Sequence, residues 1–179
     1  MEMMRIIETP NTTTFKGIRD KAILSIMYDT GMRASYLLGL KTTDLCLSEN
    51  FIVFYDTARR VTRHAVIGDK TIAIVNEYMN LRNYFKKTNT NALWVSEKGR
   101  PLKAVKSIWD IVNYYGKVAI GKNVCAAIVR HTTAVHLLNS GADIRHVCEV
   151  LGHKSIKTTL RYEDVNLSHL KNEYKKFPL

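Results

Sequence analysis

Four residues in this chain have the types and settings to do chemistry on a phosphate: Arg33, Arg130, His153 and Tyr162. His153 follows Gly152 directly, and Tyr162 lies nine residues beyond His153 in the run Leu151-Gly152-His153-Lys154-Ser155-Ile156-Lys157-Thr158-Thr159-Leu160-Arg161-Tyr162. A glycine that stops a helix turns the chain sharply, so the next side chain projects from a rigid corner. Two turns along the following helix, a phenol can face the same phosphate as that imidazole. A phosphodiester under attack develops negative charge on its non-bridging oxygens, which a guanidinium answers with two parallel, permanently charged hydrogen bonds. A phenol titrates near 10, so as a nucleophile Tyr162 needs cationic neighbours that favour the phenolate. Nine tyrosines are present and most belong to core or rim, and a lone histidine after a glycine is more often a cap than a ligand. It is the whole segment that gives Tyr162 and His153 their weight.

The elements that must position these groups are legible as periodicity. Met4 and Ile7 belong to a short helix broken at Pro10, and Ile18, Ala22, Ile23, Ile26 and Met27 recur at helical spacing up to a stop at Gly31. Arg33 lies just past that glycine, and Ala34 to Leu40 is again helical. Phe51 to Tyr55 and Val61 to Ile67 read as two strands of a hairpin with a basic tip, and Leu93-Trp94-Val95 as a short strand. Helices are expected from Thr71 to Tyr84, through Val105, Ile108, Trp109, Val112 and Tyr115 on one face, and from Ile128 to Asn139. Asp143 caps a helix burying Ile144, Val147, Val150 and Leu151, Ser155 caps the helix bearing Tyr162, and Leu167 to Lys176 forms a last basic helix. The fold class expected is mainly α with a small antiparallel β-sheet, in one domain.

Composition agrees with such a partner. The 179 residues carry 27 Lys plus Arg against 16 Asp plus Glu, a net charge of +11, which favours a polyanion, nucleic acid before an anionic membrane. The three cysteines, Cys46, Cys125 and Cys148, are widely spaced with no paired motif and read as reduced, mostly buried thiols. Cys148 with His146 and His153 matches no structural zinc spacing, and no metal site is expected. No apolar run approaches membrane-spanning length and no signal peptide is evident, so a cytoplasmic protein, nucleoid-associated when bound to DNA, is expected.

The segment Arg130 to Tyr162 resembles the C-terminal signature of the tyrosine recombinases, the phage-integrase and Xer-type family. Thr30-Gly31-Met32-Arg33-Ala34-Ser35, with Leu38-Gly39-Leu40 and Asp44, is similar to that family's first arginine box, and the hairpin between the boxes agrees in order and spacing. The resemblance implies a catalytic domain over residues 1–179 without the family's N-terminal DNA-clamping domain. It further implies no cofactor, double-stranded DNA as substrate and not a small molecule, and other copies of the chain as partners in a tetrameric synapse. Tyr162 would attack a scissile phosphate, release a 5′-hydroxyl and hold the DNA as a 3′-phosphotyrosine, with Arg33, Arg130 and His153 on the phosphate. The final helix resembles the element that such proteins dock onto a neighbouring subunit.

Three positions depart from that pattern. The histidine usual three residues before the second arginine is Ala127, and His131, next to Arg130, is turned about 100° around the helix from it. The lysine usual at the hairpin tip is missing, its place falling among Thr57, Ala58, Arg59 and Arg60, with Arg59 and Arg60 as surrogates. Arginine holds its proton too tightly to be a good general acid. The acid usual three residues after the first arginine is Tyr36. These departures leave two readings, a DNA strand transferase acting through Tyr162 and a DNA-binding, catalytically impaired member of the same fold. A basic RNA-binding or structural domain is the third, and weakest, reading.

Overall fold

The computed structural model describes residues 2–84, 90–153 and 155–160. They form helices α1 (Glu2–Glu8), α2 (Phe15–Thr30) and α3 (Ala34–Gly39), strands β1 (Leu45–Cys46), β2 (Phe51–Asp56) and β3 (Val61–Val66), then α4 (Asp69–Tyr84), α5 (Val105–Ile120), α6 (Ala126–Asn139), α7 (Ile144–Leu151) and α8 (Ile156–Leu160). The expected class, mainly α with a small antiparallel sheet, is the class observed. Tyr162 and the expected helix Leu167 to Lys176 lie outside the described residues.

Helix α2 is the central element. Ala22, Ile23, Leu24, Ile26 and Met27 are all wholly buried, so it is apolar nearly all round and is enclosed by α1, α4, α5 and α6. Thr14 starts it by accepting a hydrogen bond from the Gly17 amide at 3.0 Å, and Gly31 ends it in the left-handed region at φ 56°. A smaller apolar group, Ala134, Leu138, Val147 and Leu151, joins α6 to α7 and gives the Gly152–His153 corner a support of its own. Asp143 caps α7 through a 2.6 Å bond from the Arg145 amide.

The sheet has the order β1-β2-β3, antiparallel throughout, with Val53 opposite His64 and Asp56 opposite Val61. Its hairpin tip, residues 57–60, is a four-residue turn in which Arg60 takes φ 56°. Several expectations are corrected. Leu93-Trp94-Val95 is not a strand: Val95 makes one isolated bridge to Pro101, while Trp94 is held by its indole N–H on the Leu37 carbonyl at 2.7 Å. Trp109, about 100° around α5 from Ile108, is 53% exposed, and Val150 faces a groove at 43%. Helix α6 begins at Ala126, not Ile128, and none of the three cysteines is buried. Among the described residues no helix is long and apolar enough to cross a membrane.

Candidate active site

Arg33 is the N-cap residue of α3, its carbonyl accepting from the Tyr36 and Leu37 amides at 3.0 Å each. Its position follows from Gly31. A Cβ on Gly31 would lie 2.5 Å from Leu151 Cδ2, so only a bare backbone lets the end of α2 approach the end of α7. The Arg33 guanidinium then lies over the Tyr36 ring, 5.8 Å from its centroid.

Arg130 sits in the first turns of α6, half-buried, and bridges the same two ends. One terminal nitrogen donates to the Gly31 carbonyl at 2.7 Å and the other to the Leu151 carbonyl at 2.6 Å. Both helices end in glycines with left-handed backbone, Gly152 at φ 71°, and each presents carbonyl groups left without a helical partner. Arg130 satisfies one from each. Its guanidinium is thereby fixed by the backbone of both arginine-containing segments, and it lines one small pocket with Arg33, Arg63 and Tyr36.

His153 is buried at the corner beyond Gly152, 8% exposed, and its Nδ1 is 2.8 Å from the Thr159 hydroxyl on α8. Burial, and then the charges of Arg130, Arg33 and Arg59, lower its pKa to about 4, so the imidazole is neutral near pH 7. Three of the expected cationic residues therefore act on one ring. The Cys148 thiol donates to the His153 carbonyl at 3.5 Å, a packing role inside the corner.

The hairpin tip comes to the same corner. Arg59 donates to the His153 carbonyl, whereas Arg60 is exposed at the strained end of the turn. Arg63, which periodicity marked only as a strand residue, donates to the Glu149 and Val150 carbonyls, the latter at 3.0 Å. A Cβ on Gly152 would stand 2.1 Å from an Arg63 nitrogen, so this glycine serves close approach as well as the turn. Beneath the tip, Asp56 is wholly buried and accepts from the Tyr36 hydroxyl at 2.7 Å and from the Ala58 and Arg59 amides at 3.0 and 3.1 Å. Burial alone would raise its pKa, but the bonds from Tyr36, Arg59 and Ala58 and the charge of Arg63 hold it below the usual carboxylate value.

Ala127 is exposed on the first turn of α6, three residues before Arg130, and carries no group able to move a proton. Arg33, Arg130, His153 and Arg59 are thus gathered; Arg60 stands apart from them. Asp56, Arg63 and Thr159 were not legible as site residues, because each acquires its role only through a contact made in the folded chain. A groove of about 930 Å³ adjoins the cluster, sharing Arg59 and Arg63 with it, between β3 and helices α6 and α7.

The phage integrase family model matches residues 1–169. The tyrosine recombinase XerD of Staphylococcus haemolyticus is 35% identical over 179 residues, covering 98% of this chain and 60% of the relative. That of Staphylococcus saprophyticus is 34% identical with the same coverage, so the chain spans 60% of the length of both curated relatives. Among solved structures, XerA recombinase superposes with a TM-score of 0.86 at 30% identity, over 99% of this chain and 62% of that one. XerH site-specific recombinase bound to palindromic difH substrate, a post-cleavage complex, has a TM-score of 0.75 at 24% identity, over 96% and 50%, a likeness of fold alone.

Proposed function

The chain belongs to the phage integrase family, a tyrosine recombinase catalytic domain by sequence and by fold, and we propose that it breaks and rejoins double-stranded DNA through Tyr162. One observation supports this most: Arg130, on the Gly31 and Leu151 carbonyls, and Arg59, on the His153 carbonyl, stand with Arg33 around the Gly152–His153 corner, where His153 is buried. A site with this excess of fixed positive charge fits a phosphodiester that gains negative charge during attack.

In this reading the Tyr162 phenolate oxygen attacks phosphorus after its proton has passed to solvent. The bond from phosphorus to the 5′-oxygen breaks, and that oxygen leaves as a hydroxyl after taking a proton from solvent. The 3′-phosphotyrosine retains the energy of the phosphoester, so a 5′-hydroxyl from another strand reverses the step and releases Tyr162. Arg33 and Arg130 hold the non-bridging oxygens. His153, its Nδ1 paired with the Thr159 hydroxyl, hydrogen-bonds the same phosphate. Arg59 stabilises charge near the leaving oxygen without readily giving up a proton. The substrate in this reading is duplex DNA; the XerH structure holds a palindromic difH substrate. The active assembly is a tetramer on two duplexes.

A second reading is favoured by Ala127 and the lysine-free tip: a protein that binds duplex DNA and does not cut it. Incubation with a duplex nicked beside the scissile phosphate separates the two. An adduct that survives denaturing electrophoresis, and is lost in Tyr162→Phe, supports cleavage; duplex binding with no adduct supports the second reading. Binding to single-stranded RNA and not to duplex DNA contradicts both.

A further inference from the structure

The buried carboxylate of Asp56 does more than close a turn. Its Oδ1 takes three hydrogen bonds, from the Tyr36 hydroxyl and from the Ala58 and Arg59 amides. Its Oδ2 makes no hydrogen bond among the described residues and faces Arg63, whose nearest nitrogen is 3.7 Å away. Both arginines continue to the far side of the site: Arg59 to the His153 carbonyl, Arg63 to those of Glu149 and Val150. Tyr36 carries the connection in the other direction, since its ring lies under the Arg33 guanidinium. A single buried charge is therefore linked directly to the hairpin tip, through Tyr36 to the α3 arginine, and through Arg63 to the end of α7.

An isolated buried carboxylate is costly, and it persists in a fold only where its partners are held to it. The reverse also applies, because partners drawn to a fixed charge lose their freedom. Tyr36 stands where the family resemblance leads one to expect an acid, and its hydroxyl reaches an acid on β2 instead.

We propose that Asp56, reached through Tyr36, is a positioning residue for strand cleavage: its carboxylate holds Arg59 and Arg63 against the Gly152–His153 corner and so fixes the tip beside the phosphate site. This rests on the cleavage reading above. It assigns Asp56 no contact with DNA or with the reacting atoms.

The test compares Asp56→Asn, Tyr36→Phe and the double variant Tyr36→Glu with Asp56→Asn. An asparagine oxygen still accepts from Tyr36 and from both turn amides, so Asp56→Asn keeps the turn and removes the charge opposite Arg63. Two quantities are read: the rate of covalent adduct formation on the nicked duplex, and the arginine side-chain NMR signals, whose terminal nitrogens are resolved only while guanidinium rotation is restrained. Asp56→Asn is expected to slow adduct formation on the order of 10- to 100-fold, the scale of a small misplacement of reacting groups. Duplex affinity stays within about threefold because the phosphate-contacting cations remain, while the Arg63 signals collapse. The double variant, which returns a carboxylate to α3, restores part of the rate.

Should Asp56→Asn fail to fold, Tyr36→Phe removes one donor only and is expected to slow the reaction about tenfold. Unchanged adduct rates and unchanged Arg59 and Arg63 signals in a folded variant overturn the proposal and leave Asp56 as a turn-closing residue. If the unaltered protein forms no adduct, the cleavage reading fails, and the arginine signals alone then decide whether Asp56 positions the cluster.

Discussion

Arg130 donates to the carbonyl of Gly31 at 2.7 Å across 99 residues of sequence, and from its other terminal nitrogen to the carbonyl of Leu151 at 2.6 Å. The arginine proposed to hold the phosphate is thus also the clasp between the ends of α2 and α7. A guanidinium can make both bonds at once because its donors are set in a planar fork; an ammonium cannot span the two carbonyls in the same way. Arg130→Lys is expected to lower adduct formation on the order of 10²–10³ and to destabilise the fold by about 1–3 kcal/mol, the worth of a charge-assisted bond to a partly buried carbonyl. Single-turnover adduct formation and urea unfolding check the two effects separately.

Gly152 is the second point where backbone and site are one. At φ 71° an alanine is strained, and its Cβ would occupy the space of the Arg63 guanidinium. Gly152→Ala should cost roughly 1–2 kcal/mol from backbone strain and should release Arg63 from the Glu149 and Val150 carbonyls. Thermal unfolding reads the first and the arginine NMR signals the second. A variant as stable as the parent contradicts the left-handed turn.

His153 supplies a pH prediction. Its pKa of about 4 lies below the 6.5 of an unperturbed histidine, because the fold buries it among Arg130, Arg33 and Arg59. The folded state therefore binds its proton less readily than the unfolded chain. The stability linked to this group is complete above 6.5 and is lost progressively as pH falls from 6.5 towards 4. The loss is on the order of 1–3 kcal/mol. Urea midpoints should fall between pH 7 and pH 5, and His153→Gln should flatten that fall. Equal slopes in both proteins contradict a depressed pKa at His153.

The sequence and the structure agree where function depends on local punctuation. Gly31 and Gly152 end helices, and the residues that follow, Arg33 and His153, are exposed to inference for that reason. Arg130 was placed by its order within a motif, and the hairpin by alternation. The cluster beneath the tip was not legible. Arg63 reads as one more polar strand residue until its guanidinium is seen on carbonyls 86 and 87 residues away, and Thr159 as a small helical residue until its hydroxyl meets His153. Asp56 reads as the first residue of the polar stretch after a strand, yet it is wholly buried. Tyr36 could be read only as a missing acid; its bond to Asp56 shows that a carboxylate is present but comes from β2. Contacts of this kind carry no periodicity for a sequence to display.

The lysine-free tip predicts a specific chemical weakness. If Arg59 cannot release a proton readily, departure of the 5′-oxygen should limit the rate. A duplex with sulfur in place of that bridging oxygen needs no acid, because a thiolate leaves unprotonated. Cleavage of the sulfur duplex should be faster than that of the ordinary duplex by about 10² or more, the contribution of one general acid. Equal rates for the two would mean that another group supplies the proton.

In the proposed reaction Tyr162 becomes joined to DNA. The most direct test is mass spectrometry of the peptide carrying Tyr162 after reaction with a nicked duplex and nuclease digestion. The expected product is a nucleotide attached through its 3′-phosphate to the Tyr162 oxygen, absent in Tyr162→Phe. A covalent nucleotide on any other residue, or none on protein that binds the duplex tightly, would contradict it.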